Sequence, residues 1–146
     1  MPRFGERPAV EARAPRQVRF HAPVGVPCVW IDARPSVDVA RQFARRVQAA
    51  RRVHLIDTSL PELDTRAALG ERVVELLEHR EPRPWLLLGP HAGAFFAPSL
   101  VVQIGPSPLF ALDPATRLIR LSQARHEVAD TLARGLTISR PGARAT

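Results

Sequence analysis

The chain has no lysine, no asparagine and no tyrosine, a single cysteine and only 5% aromatic residues. With Cys28 alone no internal disulfide can form, which suits a reducing compartment. Its neighbours Val26, Val29 and Ile31 mark it as a buried strand thiol, whereas a reactive cysteine wants a basic, open setting. No apolar run approaches the length of a membrane span, and the opening MPRFGERPAVEARAPR has no apolar core of the kind a signal peptide needs. A soluble, cytoplasmic protein with no membrane partner is therefore expected. The lack of lysine makes every one of the 21 basic residues an arginine. A GC-rich coding sequence accounts for this better than arginine-specific recognition, although guanidinium forks suit phosphates. The histidines His21, His54, His79, His91 and His126 lack ligand spacing, and Cys28 has no partner, so neither a metal nor a cofactor is expected. No Ser-His-Asp or Cys-His set can be assembled, and there is no internal repeat.

What is present fits one domain. A chain of 146 residues can bury enough apolar surface to fold without metals or disulfides. The 15 prolines gather outside the periodic segments, at joints and in tails. The net charge of +7 lies mainly at the two ends: residues 1–20 carry +3 and Arg134, Arg140 and Arg144 add +3, leaving +1 for residues 21–133. The organisation expected is a basic, Pro-containing tail over 1–16, a single α/β domain over 17–136 and a second basic tail over 137–146. Such tails serve as solubilising ends and attract phosphate or acidic partners non-specifically.

Along the chain, RQVRFHAP and VPCVWIDA, parted by Pro23, Gly25 and Pro27, predict an N-terminal hairpin. Pro35 stops the second run, and Ser36 is placed to cap a helix with Val39, Ala40, Phe43, Ala44 and Val47 on one face. The best-defined stretch is Arg51 to Gly89. VHLI is apolar enough to be a central parallel strand, Asp64 or Thr65 caps a helix with the stripe Leu69, Val73, Leu76 and Leu77, and WLLL is the next strand. Gly70 is expected to permit close packing of that helix on the sheet. Strand and helix alternating in this way imply parallel pairing. Ala92 to Phe96 predicts a short helical turn. LVVQI, LFAL and RLIRL predict a C-terminal strand meander, and Ser122 and Gly135 bound a last helix. The fold expected is thus α/β, a mixed sheet with a parallel strand-helix-strand core, an N-terminal hairpin and a C-terminal meander plus helix.

Polar residues gather at one corner. Asp57, Thr58, Ser59, Glu62, Asp64 and Thr65 lie at the carboxyl end of a central strand and the start of the next helix, the edge where open α/β sheets usually bind ligands. The loop Gly89-Pro90-His91-Ala92-Gly93 follows the next strand and could face the same ligand, through Gly89, His91 and Gly93, though it is neither a GxGxxG nor a P-loop motif. Arg41, Arg45, Arg46, Arg51 and Arg52 line the first helix and its end, a possible grip on phosphate or nucleic acid.

The stretch VHLIDTSLPELDTRAALGERVVELLEHREPRPWLLLGP, with the helix SVDVARQFARRVQAA before it, resembles a STAS domain, the anti-sigma-factor antagonist fold. The resemblance covers about residues 17–97 and rests on a strand ending in Asp and small polar residues, followed by an Asp-Thr pair opening a helix. It implies a small non-enzymatic regulatory module acting through a protein partner. It also implies that Thr65, after Asp64, is phosphorylated as a switch. Two other functions fit the residues: a nucleic-acid or nucleotide-binding domain using the arginines and tails, and a small enzyme with its site at the carboxyl edge.

Overall fold

The computed structural model describes residues 18–33, 36–106 and 114–139. Five strands, β1 (Cys28–Asp32), β2 (His54–Asp57), β3 (Trp85–Leu88), β4 (Leu100–Ile104) and β5 (Arg117–Leu121), form one sheet in the order β2-β3-β1-β4-β5. Every pairing is parallel. Among the described residues the helices are α1 (Val37–Ala50), α2 (Arg66–Leu77), α3 (Ala92–Phe95) and α4 (His126–Gly135), with a 3-10 turn over Pro61–Leu63.

The strands β1, β2, β3 and β4 are buried on both faces, which is why they are nearly continuous apolar runs, whereas the edge strand β5 is largely exposed. Alternation along the strands divides the core in two. Val29, Ile31, Leu86, Leu88, Val102 and Ile104 pack with the apolar stripes of α1 and α4. Trp30, Ile56, Trp85, Leu87 and Val101 turn to the other face, against Leu69 and Val73 of α2 and Ala92 of α3. Helix α1 forms because Ala40, Phe43, Ala44 and Val47 recur at helical spacing and all become buried. Ser36 starts it, its hydroxyl accepting the Val39 N–H at 3.3 Å. Arg46 Nε and Nη2 fork onto the two Asp130 oxygens at 2.9 and 3.0 Å, fastening α1 to α4.

Several expectations change. The sheet is wholly parallel rather than mixed, because β1 is central and its two edges are taken by β3 and β4. No edge is left for a hairpin partner. Phe20 instead makes an isolated parallel bridge with Phe96, and Val24-Gly25 forms a turn. The turn is closed by the Val26 N–H donating to the Pro23 carbonyl at 3.0 Å; the Ser139 N–H donates to the Gly25 carbonyl at 2.9 Å, and Gly25 adopts φ +87 with Ser139 O where a Cβ would stand. The LVVQI and RLIRL runs pair side by side in parallel, not as a meander; residues 105–116 supply the dozen or so residues such a crossover needs. LFAL lies outside the described residues, as do the whole of the 1–16 tail, residue 17 and residues 140–146 of the 137–146 tail. Gly70 faces the Phe20 ring rather than the sheet. Helix α4 starts after Arg125 with no side-chain cap, so Ser122 is not its cap, while Gly135 is its last residue.

Candidate ligand cleft at the carboxyl edge of the sheet

Chain direction brings β1, β2 and β3 to one edge with Asp32, Asp57 and Leu88 as their last residues. Asp57 is buried and fully committed. Its Oδ2 accepts Arg41 Nε at 2.9 Å, and its Oδ1 accepts the Ser59 hydroxyl at 2.5 Å and the Ser59 N–H at 3.0 Å. Arg41 also gives Nη2 to Ser59 Oγ at 2.6 Å and Nη1 to Asp38 at 3.2 Å. Burial pushes the Asp57 carboxyl up, but the Ser59 and Arg41 hydrogen bonds and the Arg41 charge outweigh it and hold the group below its ordinary range. The neighbouring Thr58 is completely buried; its hydroxyl donates to Leu88 O at 2.9 Å and accepts the His91 N–H at 3.3 Å. Gly89 holds φ +97 so closely over this loop that a Cβ would stand 2.3 Å from Thr58 Oγ1. The β2 and β3 loops and α1 are therefore tied into one rigid corner.

Beside that corner lies a cleft of about 320 Å³. Ile31, Asp32 and Ala33 form its floor, Val37 and Ala40 of α1 one wall, and Ser59 with Gly89-Pro90 the other. Topology opens it: β1 departs towards α1 on one face, while its neighbour β3 departs towards α3 on the other, and adjacent strands whose connections part in this way leave a crevice at their carboxyl ends. The lining is mainly aliphatic. The β1 to α1 connection, residues 33–36, is too short and too poor in glycine to wrap a phosphate. One N–H of the first turn of α1 is already held by Ser36.

The residues singled out in the sequence separate. Asp57 and Thr58 brace the corner. Asp64 and Thr65 are exposed beyond the 3-10 turn and do not line the cleft; Thr65 caps α2, its hydroxyl accepting the Ala68 N–H at 3.1 Å. Gly89 lines the cleft, while His91 is exposed beside it. Gly93 serves packing, since a Cβ there would meet the Trp30 ring at 2.6 Å. The arginines do not make a free phosphate face: Arg41 holds Asp57, Arg46 holds Asp130, Arg51 donates to Leu136 O at 2.9 Å, and Arg52 pairs with Glu81 at 3.7 Å. Arg45 is exposed. Sequence reasoning missed Asp32, Val37 and Ala40 as cleft residues. Its available signal was the repeated strand ending, WIDA closing β1 and LIDT closing β2, which marks two strands finishing at one edge.

Among the described residues no group of His, Cys, Asp and Glu could hold a metal ion, and no helix is long and apolar enough to cross a membrane. No family model matches the chain, no curated protein matches it, and no solved structure matches it.

Proposed function

We propose that this chain is a small regulatory module that binds rather than transforms, taking a compact, largely apolar molecule in the cleft at the carboxyl edge of its sheet. The observation that carries this reading is the pairing of a preformed aliphatic crevice with a polar corner in which Asp57, Ser59 and Arg41 are spent on one another. Ser59 Oγ, the hydroxyl nearest the crevice, is at once donor to Asp57 and acceptor from Arg41. A nucleophile needs a base to take its proton, and here the carboxylate bonded to Ser59, that of Asp57, is neutralised by a guanidinium. Apolar crevices of this size with a few fixed polar groups are ordinary ligand sites. The test is an NMR titration of the full chain with small neutral probes such as cyclohexanol and benzyl alcohol, alongside a Val37→Phe variant that fills the crevice. Saturable shifts at Val37, Ala40 and Gly89, absent in the variant, are the expected result; shifts scattered over the surface and unchanged by Val37→Phe would overturn the proposal.

A second reading, a partner-directed switch at Thr65, is favoured by the exposure of that side chain at the N-terminus of α2. Phosphate there would add negative charge where a helix start favours it. This rests on the STAS resemblance. It predicts that incubation with protein kinases and ATP labels Thr65, and that Thr65→Glu and Thr65→Ala differ in partner capture. Absence of phosphate at Thr65 by mass spectrometry, with the two variants behaving alike, counts against it. The nucleic-acid reading keeps only Arg45 and the tails, and a salt titration of DNA and RNA binding decides it: binding that vanishes even at low salt removes it.

A further inference from the structure

At the opposite, amino edge of the sheet a second cavity, of about 230 Å³, opens between the end of α2 and the first residues of β2 and β3. Its walls are of two kinds. Val26, Leu76, Leu77 and Trp85 are apolar, while His54, His79, Arg80 and Arg83 bring four basic side chains to the same space. His54 is 9% exposed, and its Nε2 has no hydrogen-bond partner among the described residues. Arg83 is in a similar position: Nη2 bonds Glu81 at 3.1 Å, but its buried Nε has no partner among the described residues. A buried polar atom without a partner is rare enough to need a reason, and a missing ligand is one. Among the described residues no acid lines the cavity, and Glu81 beside it is already shared between Arg83 and Arg52, so the cavity has an excess of donors and positive charge.

We infer that this amino-edge cavity is a binding site for a small organic carboxylate with an apolar body, the carboxylate meeting His54 and Arg83 and the body resting against Trp85 and Leu76. A volume of this size admits a molecule on the scale of benzoate. Phosphate would satisfy the donors but leave the apolar wall wet, and a neutral hydrocarbon would leave the donors unsatisfied.

Binding of an anion here is linked to protonation of His54. Burial, then the neighbouring charges of His79, Arg83 and Arg72, hold that imidazole below its ordinary range, with Glu81 opposing them. A bound carboxylate acts in the opposite sense and favours the imidazolium, so affinity rises as pH falls.

Benzoate, acetate and phosphate titrated into the full-length chain, followed through the histidine ring resonances, test this. Expected are saturable shifts of His54 and His79 with benzoate, weaker shifts with acetate and phosphate, and binding about tenfold tighter near pH 5.5 than near pH 7.5. Arg83→Gln, checked for folding by circular dichroism, is expected to weaken benzoate about tenfold or more. The site is overturned if no saturable shift occurs, if phosphate binds as well as benzoate, or if folded Arg83→Gln binds undiminished. Should the variant fail to fold, the wild-type chain decides: saturating benzoate must raise the pH at which His54 titrates, and an unchanged titration overturns the inference.

Discussion

Asp57 receives three hydrogen bonds and a guanidinium in a buried corner, so removing its charge disturbs several partners at once. Asp57→Asn is expected to lower stability by about 1–3 kcal/mol, read by urea unfolding at neutral pH. The pH dependence has a definite sign. Because the folded carboxyl lies below its unfolded value, its contribution is complete above the ordinary aspartate range, near 3.9, and is lost as pH falls through the depressed folded value. The variant should therefore show a flatter acid limb; an unchanged one would mean that the Arg41 and Ser59 contacts contribute nothing. Burial pushes the Cys28 thiol up to about 12. Thiol reagents at neutral pH should accordingly label it only as fast as the protein unfolds, which rising denaturant would accelerate. At this scale the sequence was legible in kind but not in role. Asp57 and Thr58 were visible as polar residues at a strand end, yet whether a carboxylate faces a ligand or an arginine depends on Arg41, a helical turn supplied by a different element.

Elements were more legible than their neighbours. The runs that became β1, α1, β2, α2 and β3 could be placed from periodicity, because each buries a face whose spacing is set by local geometry. Pairing could not: β1 lies between β3 and β4, partners far along the chain, and nothing local in CVWID says that both its edges will be occupied. The hairpin expectation failed for that reason. The loops between elements carry their own prediction. Gly89→Ala forces a side chain into a positive-φ position and against Thr58, so the variant should lose more than about 1 kcal/mol. It should also disturb the cleft, measured as loss of probe-induced shifts at Val37 and Ala40. Gly105 also has a positive φ, but nothing would stand near a Cβ there. Gly105→Ala thus serves as a control that carries the backbone penalty alone.

At the scale of the molecule, the aliphatic cleft and the basic cavity lie at opposite edges of one sheet. His54 couples the second of them to global stability. Its folded value lies below the unfolded one, so its contribution is complete above about 6.5 and declines as pH falls towards the folded value. Wild-type stability should fall as pH drops below about 6.5, and His54→Met should reduce that slope, as followed by thermal unfolding across the range. An equal slope in both proteins would assign the acid sensitivity elsewhere. Charge patterning foresaw a nearly neutral body; it could not foresee that Arg41 and Arg46 of α1 would be spent on Asp57 and Asp130, and Arg51 and Arg52 just after it on Leu136 and Glu81, since those partners are assembled only by the fold.

The strand order β2-β3-β1-β4-β5 also bears on how the chain comes off the ribosome. Of these five strands the first to be synthesised is the one in the middle, and it must wait for β3 before any ladder can form on it and for β4 before its second edge closes. The earliest sequential pair able to dock is β2 with β3. Until then CVWID stays an unpaired apolar strand in a growing chain, the kind of segment that chaperones hold. Nascent chains stalled before Trp85 should bind such holdases, and those extending well past Ile104 should let them go.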